Sequence, residues 1–333
     1  MGENLGIRRH ISMARANLPH TFGLTVSVVV SIAFAMLPDT VNAWNRGGHL
    51  VTGALAYDEL SKGDAELLTG DLTLLKAHPA CDKWDRDLLD SPTVDRNKAL
   101  FMLAAAFPDD ARIGQFKRFD RPDWHYVNFR YTPSQPLTDV MTTAPFNGKL
   151  LDALQANLRI YRDSKAGAAD RAVALSWVLH LTGDITQPLH VTALVNDDFP
   201  TGDRGGNLVN VRGSERATNS VKLHKIWDDG ASGTGVKLAQ AENIATQIRA
   251  EVASASPFAR GAADSETLLR EASNSYRLAV EQVYIFGKLR YSADETDDAP
   301  AVPDGYTKSL KALSQSQMVR ASALATALLR GAR

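Results

Sequence analysis

Histidine and aspartate recur together at short spacing in this chain of 333 residues. His180 and Asp184 are four residues apart, and so are His224 and Asp228. On a helix, side chains four residues apart project from the same face, so each pair could share one cation. A single pair of this kind is more simply explained as a helix cap, a surface ion pair or a histidine satisfied in the core. Two such pairs in one chain favour metal binding.

Four further residues could complete a metal site. Asp109 follows a Phe-Pro step, His125 lies in a Trp-His-Tyr-Val-Asn stretch, and His49 ends a Gly-Gly-His stretch. His190 comes two residues after Pro188, which would interrupt a helix and redirect the histidine. Imidazole and carboxylate ligands without thiolate favour zinc, whereas carboxylates alone would favour magnesium or calcium. The chain contains one cysteine, so no intramolecular disulfide can form.

The elements that must position these residues are mainly helices. Apolar residues at three- and four-residue spacing predict helices at residues 50–62, 98–106, 148–164, 168–181, 237–253, 265–288 and 307–329. One strand is predicted at 207–212, surface loops at 132–147 and 292–306, and a surface or loop position for His78. No internal repeat or interdomain linker is found. The sequence therefore predicts an all-α fold, a mostly helical single domain over residues 44–333 with a few short strands.

The first 43 residues have the pattern of a signal peptide. Three arginines precede an apolar stretch at residues 22–37, and Val41 and Ala43 occupy the −3 and −1 positions of a cleavage site. The alternative is an uncleaved membrane anchor, which the short and interrupted apolar run disfavours. Cleavage would make Trp44 the N-terminus. We then expect a secreted or periplasmic bacterial protein that is monomeric and has no contact with the membrane.

The charge balance limits how the chain could bind an anionic partner. Lysine and arginine total 37 and aspartate and glutamate total 38, which gives a formal net charge of −1. This balance argues against nucleic-acid binding through a broad basic surface. If the substrate is anionic, bound metal would have to supply the positive charge.

These motifs, in this order and spacing, resemble those of the zinc-dependent single-strand-specific nucleases of fungi, plants and bacteria, which are relatives of the zinc phospholipases C. The similar segments are residues 44–49, 109–112, 125–128, 180–190, 202–207 and 224–228. They correspond to the family's N-terminal Trp with Gly-His, its Asp-x-x-Arg and His-Tyr/Phe-Val-Asp/Asn elements, its His-x-x-x-Asp…Gln-Pro-Leu-His signature, its Gly-Asp-x-Gly-Gly-Asn loop and its Leu-His-x-x-Trp-Asp motif.

The resemblance implies three zinc ions per chain and a grouping of their ligands. One zinc would be held by Asp109, His125, His180 and Asp184. A second would be held by His190, His224 and Asp228. The third would be held by His49, by Asp184 as a bridge, and by the free amine and carbonyl of Trp44. The third site therefore requires cleavage after Ala43, because an acylated amine is a neutral amide and a poor ligand.

The function implied by the resemblance is hydrolysis of single-stranded DNA and RNA to products with a 5′-phosphate; a 3′-nucleotidase activity is left open. Asp109 and Asp184 are expected to be catalytic as metal ligands. Arg112 would touch a phosphate oxygen or brace a ligand, unless it forms an ordinary surface ion pair. Tyr126 and Asn128 are expected to bind substrate, although Tyr126 could equally be packed in the core.

Two other functions remain open on the sequence. A zinc phospholipase C would keep the metals and change the substrate, but the last ligand of those enzymes is usually Glu, and here it is Asp228. A structural zinc protein is the alternative from a different class. Structural zinc sites are usually closed and rich in thiolate, and this set of residues contains no cysteine.

Overall fold

The computed structural model describes residues 44–253 and 265–331, and the predicted signal peptide lies outside these residues. Ten α-helices make up most of the described chain. They are α1 (Arg46–Gly63), α2 (Ala65–Leu75), α3 (Cys81–Leu89), α4 (Arg96–Asp110), α5 (Leu150–Arg162), α6 (Ala168–Thr186), α7 (Leu223–Asp228), α8 (Leu238–Glu251), α9 (Ser265–Leu278) and α10 (Tyr306–Arg330). The prediction of a mostly helical fold is confirmed.

The helices of the core converge on α6. Most of its residues from Leu175 to Thr186 are buried on every side, as expected of a helix at the centre of a domain. Helix α6 packs against α4, α5 and α10, while α1 packs against α4, α8 and α10. A Cβ atom at Gly53 would lie 2.9 Å from the Cα atom of Met102, so glycine is needed where α1 and α4 approach each other. This close packing brings the start of α1 and the end of α4 to the same side of α6.

The five strands are short and form two small sheets. They are β1 (Val127–Tyr131), β2 (Asn147–Gly148), β3 (Thr192–Leu194), β4 (Asn210–Val211) and β5 (Val221–Lys222). β1 pairs antiparallel with β2 and parallel with β3, and β4 pairs antiparallel with β5. Of the strand predicted at 207–212, only Asn210 and Val211 form a strand, which is β4. The backbone amides of Leu208 and Val209 donate instead to the carbonyls of Asp203 and Gly206, in turns.

Three regions depart from the predicted elements. Helices α2 and α3 were not predicted, and α7 was indicated only by the helical spacing of His224 and Asp228. The helix predicted over 265–288 is α-helical to Leu278, continues as a π-helix at Ala279–Val283, and ends in a 3₁₀ turn at Ile285–Gly287. No helix of the described residues is long and apolar enough to span a membrane.

His78 lies in the turn between α2 and α3, which agrees with the predicted loop, but it is buried, so the alternative of a surface position is wrong. Its ring stacks on Trp84 and meets the edge of Phe107, with 4.4 Å between the ring centroids in each case. Its Nδ1 atom accepts the backbone N–H of Ala80 at 3.0 Å. The aromatic cluster accounts for the burial, and the local sequence gives no signal of it.

The burial of His78 predicts a pH dependence of stability. Burial lowers the pKa of His78 from 6.5 to about 3. Below pH 6.5 the unfolded chain binds a proton on this ring and the folded chain does not, so the free energy of unfolding falls as the pH falls. Between pH 7 and pH 5 this group is expected to cost about 2 kcal/mol.

The measurement is urea unfolding of the metal-free wild type and of His78→Phe at the two pH values. The variant is expected to lose about 2 kcal/mol less than the wild type over this interval. Because both proteins keep the other buried histidines, the difference between them isolates His78. Equal losses in the two proteins would rule out this assignment.

Candidate metal centre

Three groups of histidine and aspartate come together inside the helical core. In each group, one possible ligand atom per residue lies within 4.8 Å of the others. We call them group A (His49, His180 and Asp184), group B (Asp109, His125 and His180) and group C (His190, His224 and Asp228). All eight residues are among the predicted metal ligands, and seven of them are buried.

Group A is built by α6 and the start of α1. The Nε2 atom of His180 lies 3.4 Å from Oδ2 of Asp184, one helical turn away, as the spacing predicted. The Nε2 atom of His49 lies 3.4 Å from the other carboxylate oxygen, Oδ1. The rings of His49 and His180 stack with 3.7 Å between their centroids. Two imidazoles therefore converge on one carboxylate.

Group B shares His180 with group A. The Nδ1 atom of His125 lies 2.9 Å from Nε2 of His180 and 3.3 Å from Oδ2 of Asp184. Asp109, near the end of α4, has its Oδ1 atom 3.9 Å from Nε2 of His180. Asp184 thus lies between the two groups and contacts imidazoles of both.

Group C lies beyond the end of α6. The Nε2 atoms of His190 and His224 are 3.2 Å apart, and Oδ2 of Asp228 lies 3.3 Å from Nε2 of His224. Helix α6 ends before Pro188, and His190 is presented by a short 3₁₀ turn, as predicted. Gln187 was not predicted as a site residue, and its amide donates to the other Asp228 oxygen at 2.7 Å.

Backbone carbonyls orient three of the histidines. The Nδ1 atoms of His180, His190 and His224 lie 2.9, 2.6 and 2.5 Å from the carbonyl oxygens of Ala105, His125 and Gly205. Because a carbonyl oxygen can only accept, each Nδ1 carries the proton. The Nε2 lone pair of each ring is then free to face its group, which is the arrangement of metal-binding histidines.

Burial dominates the electrostatics of the site. It raises the pKa of Asp184 and Asp228 well above the usual value, and it lowers the pKa of His49 well below its usual range and that of His180 to about 3. Both carboxylate oxygens of Asp184 and both ring nitrogens of His49 are buried and receive or donate no hydrogen bond within the described residues. Such groups are costly to bury without a partner, so the site fits a bound cation.

Of the other predicted residues, Arg112 contacts group B. Its Nη2 atom is 2.8 Å from Oδ1 of Asp109, and the arginine side chain is 11% exposed, which excludes an ordinary surface ion pair. Tyr126 is half-buried beside His125. Asn128 is buried, and its amide donates to Oδ1 of Asn147 at 2.9 Å. The substrate contacts of Tyr126 and Asn128 stay predictions.

The start of the described chain lies against group A. Trp44 is fully buried. A Cβ atom at Gly183, next to Asp184, would lie 3.0 Å from the His49 ring and 3.5 Å from Cδ1 of Trp44. Asn45, which was not predicted as a site residue, caps α1 and donates to Oδ1 of Asp229 at 2.6 Å. These contacts hold the first described residues between α6 and α7.

The fold and the buried groups define a helical protein with three groups of imidazole and carboxylate that could hold metal ions. The family model described as S1/P1 Nuclease matches residues 44–331, and the chain belongs to this family of metal-dependent proteins. The match confirms the resemblance seen in the motifs.

Curated relatives match over parts of the chain. Endonuclease 1 of Arabidopsis thaliana is 25% identical over 211 residues, which are 60% of this chain and 58% of the relative. Nuclease S1 of Aspergillus oryzae is 28% identical over 135 residues, 40% of this chain and 42% of the relative. Endonuclease 4 of Arabidopsis thaliana is 38% identical over 77 residues, 23% of this chain and 22% of the relative. The chain thus spans less than two thirds of the length of these relatives.

Proposed function

We propose that the protein is a zinc-dependent endonuclease that hydrolyses phosphodiester bonds of single-stranded DNA and RNA and leaves 5′-phosphates. The observation that carries the proposal is the position of Asp184 of group A, whose carboxylate also lies 3.3 Å from His125 of group B, while His190 of group C bonds to the His125 carbonyl. Two cations held by one shared carboxylate, with a third close by, suit the in-line displacement at a phosphodiester. The family match supports a nuclease over a phospholipase C.

We propose that three zinc ions bind, with the following ligands. Group B with Asp184 holds one ion, and group C holds another. His49, Asp184 and the backbone amine and carbonyl of Trp44 hold the third. The ligand chemistry supports zinc, because imidazole and carboxylate are present and thiolate is absent from the three groups.

When bound, zinc supplies Lewis acidity, which makes water a stronger acid and neutralises charge on the phosphate. The protein's own groups provide the positions. Asp184 would help to hold two of the ions, and the carbonyls that accept the Nδ1–H groups would keep the Nε2 atoms of the imidazoles directed toward their groups. Arg112 fixes Asp109 and adds positive charge beside it. The half-buried Tyr126 offers a ring on which a base can stack, with little preference for sequence.

The same proposal accounts for the charge balance. A chain with a formal net charge of −1 can hold a polyanion if the metal ions supply local positive charge. We further propose that residues 1–43 are removed during export and that the processed protein is a monomer in the periplasm or outside a bacterial cell. The basic, apolar and small-residue pattern of this segment supports export.

The test is an assay of the processed protein, beginning at Trp44, on single-stranded DNA, single-stranded RNA, duplex DNA and phosphatidylcholine vesicles. Nucleotide release from both single strands is expected, with loss of activity on chelation and recovery on adding zinc. Elemental analysis is expected to give three zinc ions per chain. Cleavage of lipid without nucleotide release would favour the phospholipase C, and zinc binding without any hydrolysis would favour a structural role.

A further inference from the structure

A buried carboxylate outside the three groups accepts hydrogen bonds on both of its oxygen atoms. Asp203 is fully buried. Its Oδ1 atom accepts the backbone N–H of Leu194 at 2.9 Å, and its Oδ2 atom accepts the N–H of Gly206 at 2.9 Å and the hydroxyl of Tyr284 at 2.6 Å. The N–H of Gly205 also bonds to this carboxylate. The loop at residues 202–207 is therefore wrapped around one side chain.

This loop contacts His224 of group C and Leu189, the residue before His190. The carbonyl oxygen of Gly205 accepts the Nδ1–H of His224, and the carbonyl of Gly206 accepts the backbone N–H of His224 at 3.3 Å. A Cβ atom at Gly205 would overlap the carbonyl oxygen of Leu189, the residue before His190. A shift of the loop would thus change the direction of the His224 imidazole and disturb the backbone next to His190.

The backbone of the loop needs an external restraint. Arg204, Gly205 and Gly206 have φ angles of 56°, 61° and 82° in succession. The left-handed region is unfavourable for a non-glycine residue such as Arg204, so this conformation persists only where surrounding bonds hold it. The hydrogen bonds to Asp203 span this turn and supply that restraint.

Tyr284, which bonds to Asp203, lies directly after a π-helix. It follows the π-helix at 279–283, and its backbone N–H donates to Ala279, five residues back, at 2.8 Å. The next two residues, Ile285 and Phe286, have φ angles of 51° and 53°. Burial raises the pKa of Tyr284 well above its usual value, so its hydroxyl stays a donor. Short π-helices and left-handed non-glycine residues are frequent at functional sites.

We propose that Asp203 and Tyr284 are positioning residues for group C, which they hold in shape through the Gly205 carbonyl and His224. The inference rests on the proposed assignment of a zinc ion to group C. Groups A and B have no bond to this loop among the described contacts, so the effect is confined to one of the three ions.

The test measures zinc binding in Tyr284→Phe, which keeps the ring and removes the hydroxyl. Competition with a chelator is expected to show one ion bound about 10-fold more weakly and two ions bound as in the wild type. Asp203→Asn places an amide donor against backbone donors. The ion of group C is expected to bind to this variant about 100-fold more weakly than to the wild type. Added zinc should restore the activity of Tyr284→Phe.

Tyr291→Phe is the matched control. It removes a hydroxyl that donates to Asp198 at 2.8 Å, away from the Asp203 carboxylate, and it is expected to bind all three ions as the wild type does. The inference is overturned if Tyr284→Phe keeps wild-type affinity for all three ions, or if all three weaken together. A wild type that fails to bind three zinc ions or to cut nucleic acid would instead overturn the proposed function.

Discussion

Replacement of Asp184 by Asn is expected to lower the rate of phosphodiester hydrolysis by about three orders of magnitude. The carboxylate lies within 3.4 Å of nitrogen atoms of His49 in group A, of His125 in group B and of His180, which both groups contain. An amide is neutral and offers a single acceptor oxygen, so the ions of both groups would be held less tightly. Initial rates on single-stranded DNA and zinc content are the measurements.

The zinc content gives this prediction a second readout. The variant is expected to keep the ion of group C, which has no ligand in common with the other groups, and to lose the others on dialysis. Asp71→Asn is the matched control, because Asp71 is also buried in a helix and accepts the hydroxyl of Tyr161 at 2.6 Å. This control should keep three ions and the wild-type rate. Full turnover by Asp184→Asn would end the claim of a shared-carboxylate mechanism.

A protein that retains one extra residue before Trp44 is expected to lose one zinc ion and about 100-fold in activity. The amine of Trp44 would then be a neutral amide, which is a poor ligand, while His49 and Asp184 would remain in place. Removal of a cleavable tag can give two matched proteins, one that begins at Trp44 and one that begins at Ala43. Elemental analysis and initial rates on single-stranded DNA compare them.

The control separates the backbone of Trp44 from its indole. Trp44→Phe with a free N-terminus keeps the amine and carbonyl, and it is expected to keep three ions despite lower stability from the cavity left by the indole. If the protein that begins at Ala43 binds three ions and cuts at the normal rate, the chain start is not a ligand.

Much of the site could be predicted because some of its geometry is local. His180 with Asp184 and His224 with Asp228 are each one helical turn apart, and the structure brings each pair within 3.4 Å. Pro188 ends α6 because proline has no backbone N–H to donate within a helix and because its ring clashes with the preceding turn. Such features depend on residues within a few positions, and a single sequence contains them all.

Other features of the site have no local signal. The three carbonyls that orient the histidines belong to Ala105, His125 and Gly205, and a backbone group can accept a hydrogen bond whatever the side chain is. The bond from Tyr284 to Asp203 joins residues 81 positions apart, and the π-helix that aims the tyrosine lies within a predicted continuous helix. Motif spacing pointed to the loop at 202–207 without giving its role.

The sequence by itself therefore determined the ligand types, the two helical pairs, the mostly helical class and the resemblance to the family. The tertiary structure decided which ligands meet. The approach of α1 to α4 at Gly53 sets His49 and Asp109 beside α6, and the aromatic cluster that buries His78 leaves that histidine out of the centre. The physical reason is the sequence separation over which each interaction acts. Helical spacing follows from bonds between residues a few positions apart. Burial, and the meeting of ligands that are distant in sequence, follow from packing between elements.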